Sequence, residues 1–280
     1  MRTIVHISDL HFGRINTSLL APLHAIIDNR QTDVVVISGD ITQRAKQKEF
    51  KAARDFIASL NVKVFLVPGN HDIPLYRFWE RLLRPYKKYI IFISETLEPR
   101  FRDEELTIVG INSSRPYRAK NGQVTATQLN EMSQAFLNVP GEMIKIVVAH
   151  HSWYVPKTIR EKPLGRAHAA LKYFEQAKVD LLLTGHLHVT WTEHPGTAYK
   201  ISPRGPLFVP AGTALSTRLR SELNSFNIIT TSPDQITIER YEHHEGEATF
   251  LSRRSEQYKR TSEGWTRNTK TRTSSDMSAL

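Results

Sequence analysis

The residues able to do chemistry in this chain fall at one kind of place. Asp9 and His11 follow the apolar run TIVHI, Asp40 follows DVVVIS, and Asn70, His71 and Asp72 follow VKVFLV. His150 and His151 close the run MIKIVVA, and His186 and His188 come just after VDLLLT. Runs this apolar read as buried strands, and a buried strand fixes its last residues rigidly on one rim of a sheet. The chain has no cysteine, which excludes disulfides and thiolate metal sites. Carboxylate oxygens, an amide oxygen and imidazole nitrogens suit two hard or borderline divalent cations. Two such ions about 3.5–4 Å apart can share one carboxylate. Asp40, alone between two groups of ligands, is the natural bridge. Gly39, Gly69 and Gly185 are expected to allow tight turns toward a crowded centre. A lone Asp-x-His pair, or one histidine at a strand end, is more often structural than a ligand. Five motifs, each after a strand, together point to a metal rim of Asp9, His11, Asp40, Asn70, His150, His186 and His188.

The elements that must hold this rim can be read from spacing. TIVHI, DVVVIS and VKVFLV are strands, and LLAPLHAIIDN and AKQKEFKAARDFIASL between them have helical periodicity. The second helix places Phe50, Ala53, Phe56, Ile57 and Leu60 on its inner stripe. Right-handed crossovers make the sheet parallel and gather the loops at the carboxyl ends of its strands. PLYRFWERLLRPYKKYIIFI begins as a helix and passes into an aromatic, basic stretch. LTIVGINS is a strand ending in Asn112, and TATQLNEMSQAFLN is a helix with Thr127 as its cap. RAHAALKYFEQAK is a further helix. After His188 come VTWTEH, TAYKIS, PLFVPAG, SFNIITTS and QITIERYEH, short alternating runs expected to form a mostly antiparallel second sheet. The economical organisation is one domain over residues 1–250, two sheets with helices outside. Residues 251–280 are Ser/Thr/Arg-rich and are expected to be a weakly ordered tail or to pack on a neighbour.

Bulk properties bound the partners. The 280 residues are 40% hydrophobic and 24% charged, as in soluble globular proteins. A net charge of +10 either serves solubility or favours phosphates, nucleic acid or acidic lipid. The start, MRTIVHISDLHFG, is broken by Ser8, Asp9 and His11 and does not read as a secretory segment. No apolar run is long enough to span a bilayer, and the expected location is the cytoplasm.

DLH at Asp9–His11, GD at Gly39–Asp40, GNHD at Gly69–Asp72, the His150 position and GHLH at Gly185–His188 closely resemble the calcineurin-like metallophosphoesterases. Their order and spacing match from Thr3 to about His188. The resemblance implies an α/β fold, a four-layer α/β/β/α sandwich of two mixed sheets flanked by helices. It implies Asp9, His11 and His188 on one metal, Asn70, His150 and His186 on a second, and Asp40 bridging, with manganese, iron or zinc as the ions. By the same resemblance His71 is catalytic and faces the substrate, stabilising phosphoryl charge or protonating the leaving oxygen, and Asp72 orients it. The reaction implied is in-line attack on phosphorus by a hydroxide held between the metals. Every ligand the family uses is present here, unlike in its inactive, scaffold-like branches.

SDLHFG, GDITQRAKQKEF and VPGNHD resemble the bacterial class III cyclic-nucleotide phosphodiesterases, which implies a small phosphodiester substrate such as 3',5'-cyclic AMP. His151 and Asn112 are then candidates for substrate contact. The alternatives are packing or hydrogen bonding for His151 and a turn cap for Asn112. Two features depart from that branch. HHSWYVPKT lacks a proline directly after the histidine pair, and Phe78–Ile93 is rich in aromatic and basic residues. The favoured reading packs Trp79, Leu82 and Leu83 in the core. The others are a cap over the cleft, a homodimer edge, or a surface meeting lipid or nucleic acid. Other functions left open are a UDP-sugar-lipid pyrophosphatase near the membrane and a DNA nuclease, for which the chain has little room. A metal-bound docking module is the non-enzymatic alternative, in which His71 and Asp72 would have no purpose.

Overall fold

A computed structural model describes residues 1–118, 120–188, 192, 205–218 and 223–268. The first third alternates strands and helices in chain order: β1 (Arg2–Ile7), α1 (Leu20–Asn29), β2 (Val34–Ile37), α2 (Gln47–Ser59) and β3 (Lys63–Leu66). Two short helices follow, α3 (Phe78–Leu83) and α4 (Lys87–Phe92). The middle contributes β4 (Arg100–Arg102), β5 (Leu106–Ile111), α5 (Ala126–Phe136), β6 (Ile144–Ala149), α6 (Ala167–Ala177), β7 (Leu181–Thr184) and β8 (Leu207–Pro210). The last four strands are β9 (Asn224–Thr231), β10 (Gln235–His243), β11 (Leu251–Thr261) and β12 (Gly264–Arg267).

These strands make two mixed sheets, ordered β12-β11-β10-β9-β1-β2-β3 and β4-β5-β6-β7-β8. The late strands therefore do not form a sheet of their own. β9 pairs antiparallel with the free edge of β1 and extends the first sheet, while β8 pairs parallel with β7 in the second. Alternation correctly marked β9 and β10 as antiparallel, but it carries no information about which edge they join. VTWTEH and TAYKIS fall, apart from Thr192, outside the described residues.

The core is layered by strand alternation. Ile4, Val34, Val36 and Phe65 from one sheet meet Ile108, Ile146, Val148 and Leu183 from the other between the sheets. Val5, Ile7, Val35 and Ile37 point outward, onto Leu23 and Ile27 of α1 and Phe50 and Ala53 of α2. Val109, Ile111, Val147 and Ala149 pack on Leu129 and Phe136 of α5 and Phe174 of α6. β2, β5, β6 and β7 are covered on both faces, which is why they read as unbroken apolar runs, whereas β10 alternates buried and half-buried residues. Each buried Val, Leu, Ile or Phe in these layers contributes about 1.5–3 kcal/mol. The result is the α/β/β/α sandwich.

Three local expectations change. Thr125, not Thr127, caps α5: its hydroxyl accepts from the Gln128 backbone N–H at 3.1 Å, and the Gln128 side chain bonds back to the Thr125 N–H at 2.8 Å. Residues 251–267 are not a loose tail but strands β11 and β12, which bury Tyr258 and Trp265 against the inter-sheet core. Residues 269–280 lie outside the described residues. Trp79, Leu82 and Leu83 are not core residues: they are 71%, 53% and 71% exposed. Helical spacing shows that a face is apolar and not what covers it.

Candidate metal centre

The rim forms at the carboxyl ends of β1, β2, β3, β6 and β7, where backbone bonds lace the loops together. The Asp9 N–H donates to Gly39 O and the His11 N–H to Asp40 O, at 3.1 and 3.0 Å. The Gly185 N–H donates to His150 O at 3.0 Å. The sheets are joined across the rim by His186 N–H to Asp9 Oδ2 and His150 Nδ1–H to Ser38 O, both 2.8 Å. Asp9, His11, Asp40, His186 and His188 have left-handed backbones, with φ between 50° and 69°. Such a conformation costs a non-glycine residue roughly 1–2 kcal/mol, and it persists where surrounding bonds over-determine it.

All seven predicted ligands converge. Asp9 Oδ1 lies 3.1 Å from His188 Nε2 and 3.7 Å from His11 Nε2, and the two imidazole nitrogens are 3.3 Å apart. On the other side His150 Nε2 lies 3.2 Å from Asn70 Oδ1, and the His150 and His186 rings are 5.2 Å apart. Asp40 stands between the groups. Its Oδ1 is 3.3 Å from His150 Nε2 and its Oδ2 is 3.9 Å from His11 Nε2. The donor atoms form closely spaced clusters that fit a dinuclear divalent-metal centre.

Electrostatics and orphaned atoms support the fit. Asp9 Oδ1 is buried with no hydrogen-bond partner among the described residues, while Oδ2 accepts from Ser8 Oγ and His186 N–H. Burial would raise the Asp9 and Asp40 carboxyls. The facing histidines outweigh it and hold both below the usual carboxylate range. Burial would lower His150, but Asp40, by charge and hydrogen bond, holds it up at about 9. Burial keeps His11 near 4. The His150 Nδ1–H bond to Ser38 O directs its other nitrogen at the centre, as metal-binding histidines require.

The glycines act through space more than through turns. Of Gly39, Gly69 and Gly185, only Gly39 has a positive φ, 95°. A Cβ on Gly69 would overlap the Asp40 carboxylate and backbone, and one on Gly185 would overlap Ser8 Oγ. Both residues let a second loop approach the rim more closely than any side chain permits.

His71 sits at the mouth, its Nε2 3.9 Å from Asp40 Oδ2. Its Nδ1 is 2.8 Å from the carbonyl oxygen of Gln43, to which it donates. Asp72 does not touch this ring, contrary to the role that the resemblance implied. The Asp72 Oδ1 accepts from the Thr42 N–H and hydroxyl at 2.8 and 2.9 Å. Its Oδ2 accepts from the Gly69 and Ile41 N–H groups at 2.9 and 3.2 Å. Burial and the Asp40 charge push Asp72 up to about 6, against the Gly69 N–H and the Thr42 N–H and hydroxyl.

His151 and Asn112 are placed by hydrogen bonds to the protein. His151 Nδ1 accepts from Ser113 Oγ at 2.8 Å, and its Nε2 donates to Lys120 O at 3.0 Å. Burial holds its pKa well down. Asn112 Oδ1 accepts from the Ser114 N–H at 3.1 Å, closing a turn. Sequence reasoning missed Arg218, whose Nη1 lies 3.5 Å from His71 Nε2 and whose carbonyl is 3.3 Å from His188 Nδ1. It belongs to none of the strand-end motifs, so nothing in its neighbourhood flagged it.

Two facing sheets with paired Asp/His clusters at their strand ends define a metal-dependent phosphoesterase scaffold. Residues 2–190 match the family described as calcineurin-like phosphoesterase, and this chain belongs to that family. A probable cyclic nucleotide phosphodiesterase of Xenorhabdus bovienii is 24% identical over 250 residues, 82% of this chain and 96% of that one. A probable glycerophosphodiester phosphodiesterase GpdQ of Arcobacter nitrofigilis is 24% identical over 160 residues. That match spans 56% of each chain, so only about half of that relative's length is represented. Purple acid phosphatase PPD1 of yellow lupin superposes with a TM-score of 0.66 at 15% identity, over 91% of this chain and 53% of that one. GAP50, the anchor in the inner membrane complex of Plasmodium, does so with 0.58 at 14% identity, over 90% and 88%. These two structural likenesses concern the fold alone. No helix among the described residues is long and apolar enough to cross a membrane.

Proposed function

We propose that this chain hydrolyses small phosphodiesters in a metal-dependent reaction, with 3',5'-cyclic nucleotides as the first class of substrate. One observation carries the reading: Asp9, His11, Asp40, His150, His186 and His188 converge, with Asn70 3.2 Å from His150 and His71 and Arg218 directly beside them. Asp9, His11 and His188 would hold one ion, Asn70, His150 and His186 the other, and Asp40 would serve both. Two divalent ions held by these residues would supply positive charge to phosphoryl oxygens and would lower the pKa of a water.

The chain's own residues supply the rest. Hydrolysis of a cyclic diester adds water across one P–O bond, and the departing ribose oxygen needs a proton. Because His71 Nδ1–H is committed to the Gln43 carbonyl, proton exchange falls to Nε2, the atom aimed at the centre. Arg218, whose guanidinium can only donate, is placed to bind a non-bridging phosphoryl oxygen. Asp72 is a positioning residue that clamps the loops carrying Asp40 and His71. Ring nitrogens already bonded to Ser113 and Lys120 favour the packing role for His151. The turn at Ser114 likewise favours the cap role for Asn112.

Cyclic nucleotides are favoured because the Xenorhabdus relative named for them is matched over 96% of its length. A second reading, glycerophosphodiesters, draws on the partial match to the Arcobacter protein. The deciding experiment is a panel on manganese-loaded protein: cyclic AMP, cyclic GMP, 2',3'-cyclic nucleotides, bis(p-nitrophenyl) phosphate, a monoester, a glycerophosphodiester, a UDP-sugar lipid and DNA. Diesters should turn over faster than the monoester, with a 3',5'-cyclic nucleotide among the best. Metal-loaded protein that cleaves no diester refutes the proposal.

A further inference from the structure

Eight of the twelve large hydrophobic side chains that stand exposed among the described residues lie between positions 75 and 91. Tyr76, Phe78, Trp79, Leu82, Leu83 and Ile91 are each more than half exposed. The segment is not a loose flap. Buried Arg81 donates to the carbonyl oxygens of Pro74, Pro116 and Arg118 at 3.2, 2.6 and 3.0 Å. Tyr86 Oη donates to Ser114 O at 2.7 Å, and Tyr89 is fully buried in the core beside the first sheet. α3 and α4 are thus nailed down from beneath while their apolar side chains face outward. An apolar patch held open in this way marks an interaction surface.

Charge selects the partner. The same segment carries five basic residues and one acidic one. Glu80 is shared by Arg77 and Lys88. Arg84 and Lys87 stand exposed with no acidic partner among the described residues. A two-fold contact between copies of this chain would bring these cations against themselves. A nucleic acid would gain nothing from Leu82, Leu83 and Ile91, on which no base stacks. Aromatic and aliphatic side chains with two exposed cations free of ion pairs, Arg84 and Lys87, in the same segment suit an anionic bilayer surface, where the apolar groups enter the interface and the cations meet lipid phosphates.

We propose that the α3–α4 face docks this protein peripherally on anionic lipid bilayers. The face adjoins the metal centre, since Arg44, next to Gln43, lies over the Tyr76 ring at 5.2 Å. The proposal goes beyond the phosphodiesterase reading, and its readout is independent of turnover.

The test is flotation of the full chain with vesicles of phosphatidylcholine alone and of phosphatidylcholine mixed with phosphatidylglycerol. Two double variants are compared: Trp79→Ser with Leu83→Ser, and Arg84→Glu with Lys87→Glu. All four positions are exposed, and circular dichroism and metal content verify that the fold is kept. Wild type should float only with the anionic vesicles, and high salt should weaken this. Arg84→Glu with Lys87→Glu should lower vesicle affinity by about 25-fold or more, roughly fivefold per cation, and Trp79→Ser with Leu83→Ser, which removes two apolar side chains from the interface, by about tenfold or more. Three results overturn the proposal: no flotation with anionic vesicles, binding that survives both variants, or a dimer in solution that Trp79→Ser with Leu83→Ser disperses. Wild-type protein that floats but cleaves no diester would leave this inference standing and remove the functional one.

Discussion

Asp72→Asn separates two accounts of the GNHD motif. In the structure the Asp72 carboxylate is 1% exposed and receives four donors, two on each oxygen. An amide can offer its oxygen to only one pair. The other pair then faces an NH2 group, and each buried donor left unmade costs about 1–3 kcal/mol. Removing a carboxylate that burial and Asp40 push up to about 6 returns part of that. The net loss is about 2–4 kcal/mol, a fall in Tm of roughly 3–7 °C for a chain of this size. The donors belong to Ile41, Thr42 and Gly69, so the loops bearing Asp40 and His71 loosen together, and metal content should fall with stability. The assay is thermal unfolding, metal analysis and turnover on the same preparation. If Asp72 instead acted by orienting His71 directly, turnover would collapse while Tm and metal content stayed at wild-type values. That outcome would refute the clamp.

Three further substitutions probe the site. His71→Ala should keep metal content near wild type and lower kcat by about 10²–10⁴, and loss of metal with turnover preserved would reverse the assignment. Arg218→Ala should lower kcat/KM for a diester by roughly 10–100-fold, the worth of one charge-assisted hydrogen bond, with partial recovery in Arg218→Lys; unchanged kinetics would remove Arg218 from the site. Gly185→Ala places a Cβ on Ser8 Oγ and should cost at least about 3 kcal/mol in urea unfolding together with metal at the Asp9 cluster, so wild-type stability and metal content would show that the rim yields more easily than its packing indicates.

Much of this was legible in the sequence because burial on both faces leaves a plain mark. VVVI at Val34–Ile37 could only be a covered strand, so the polar residues after it had to lie on a rim. The seven predicted ligands met for that reason. What pattern could not supply was long-range choice. The alternation of SFNIITTS does not say that β9 will join β1, and the spacing of FWERLL does not say that its apolar face stays open. Second-layer contacts were hidden too. Asp72 sits next to His71 in sequence yet points to Thr42 and Gly69, and the carbonyl that holds His71 belongs to Gln43, a role that no side-chain type announces. Arg218 reaches the site from the loop after β8, where no motif marks it.

The central claim is that Asp40 lies between two ions. Crystals grown with manganese, measured at an anomalous wavelength, test it most directly. Two peaks per chain are expected, one against Asp9, His11 and His188 and one against Asn70, His150 and His186, with one oxygen of Asp40 on each side or a single oxygen shared. A fully manganese-saturated crystal with no peak at this rim, or with Asp40 touching neither ion, would contradict the account.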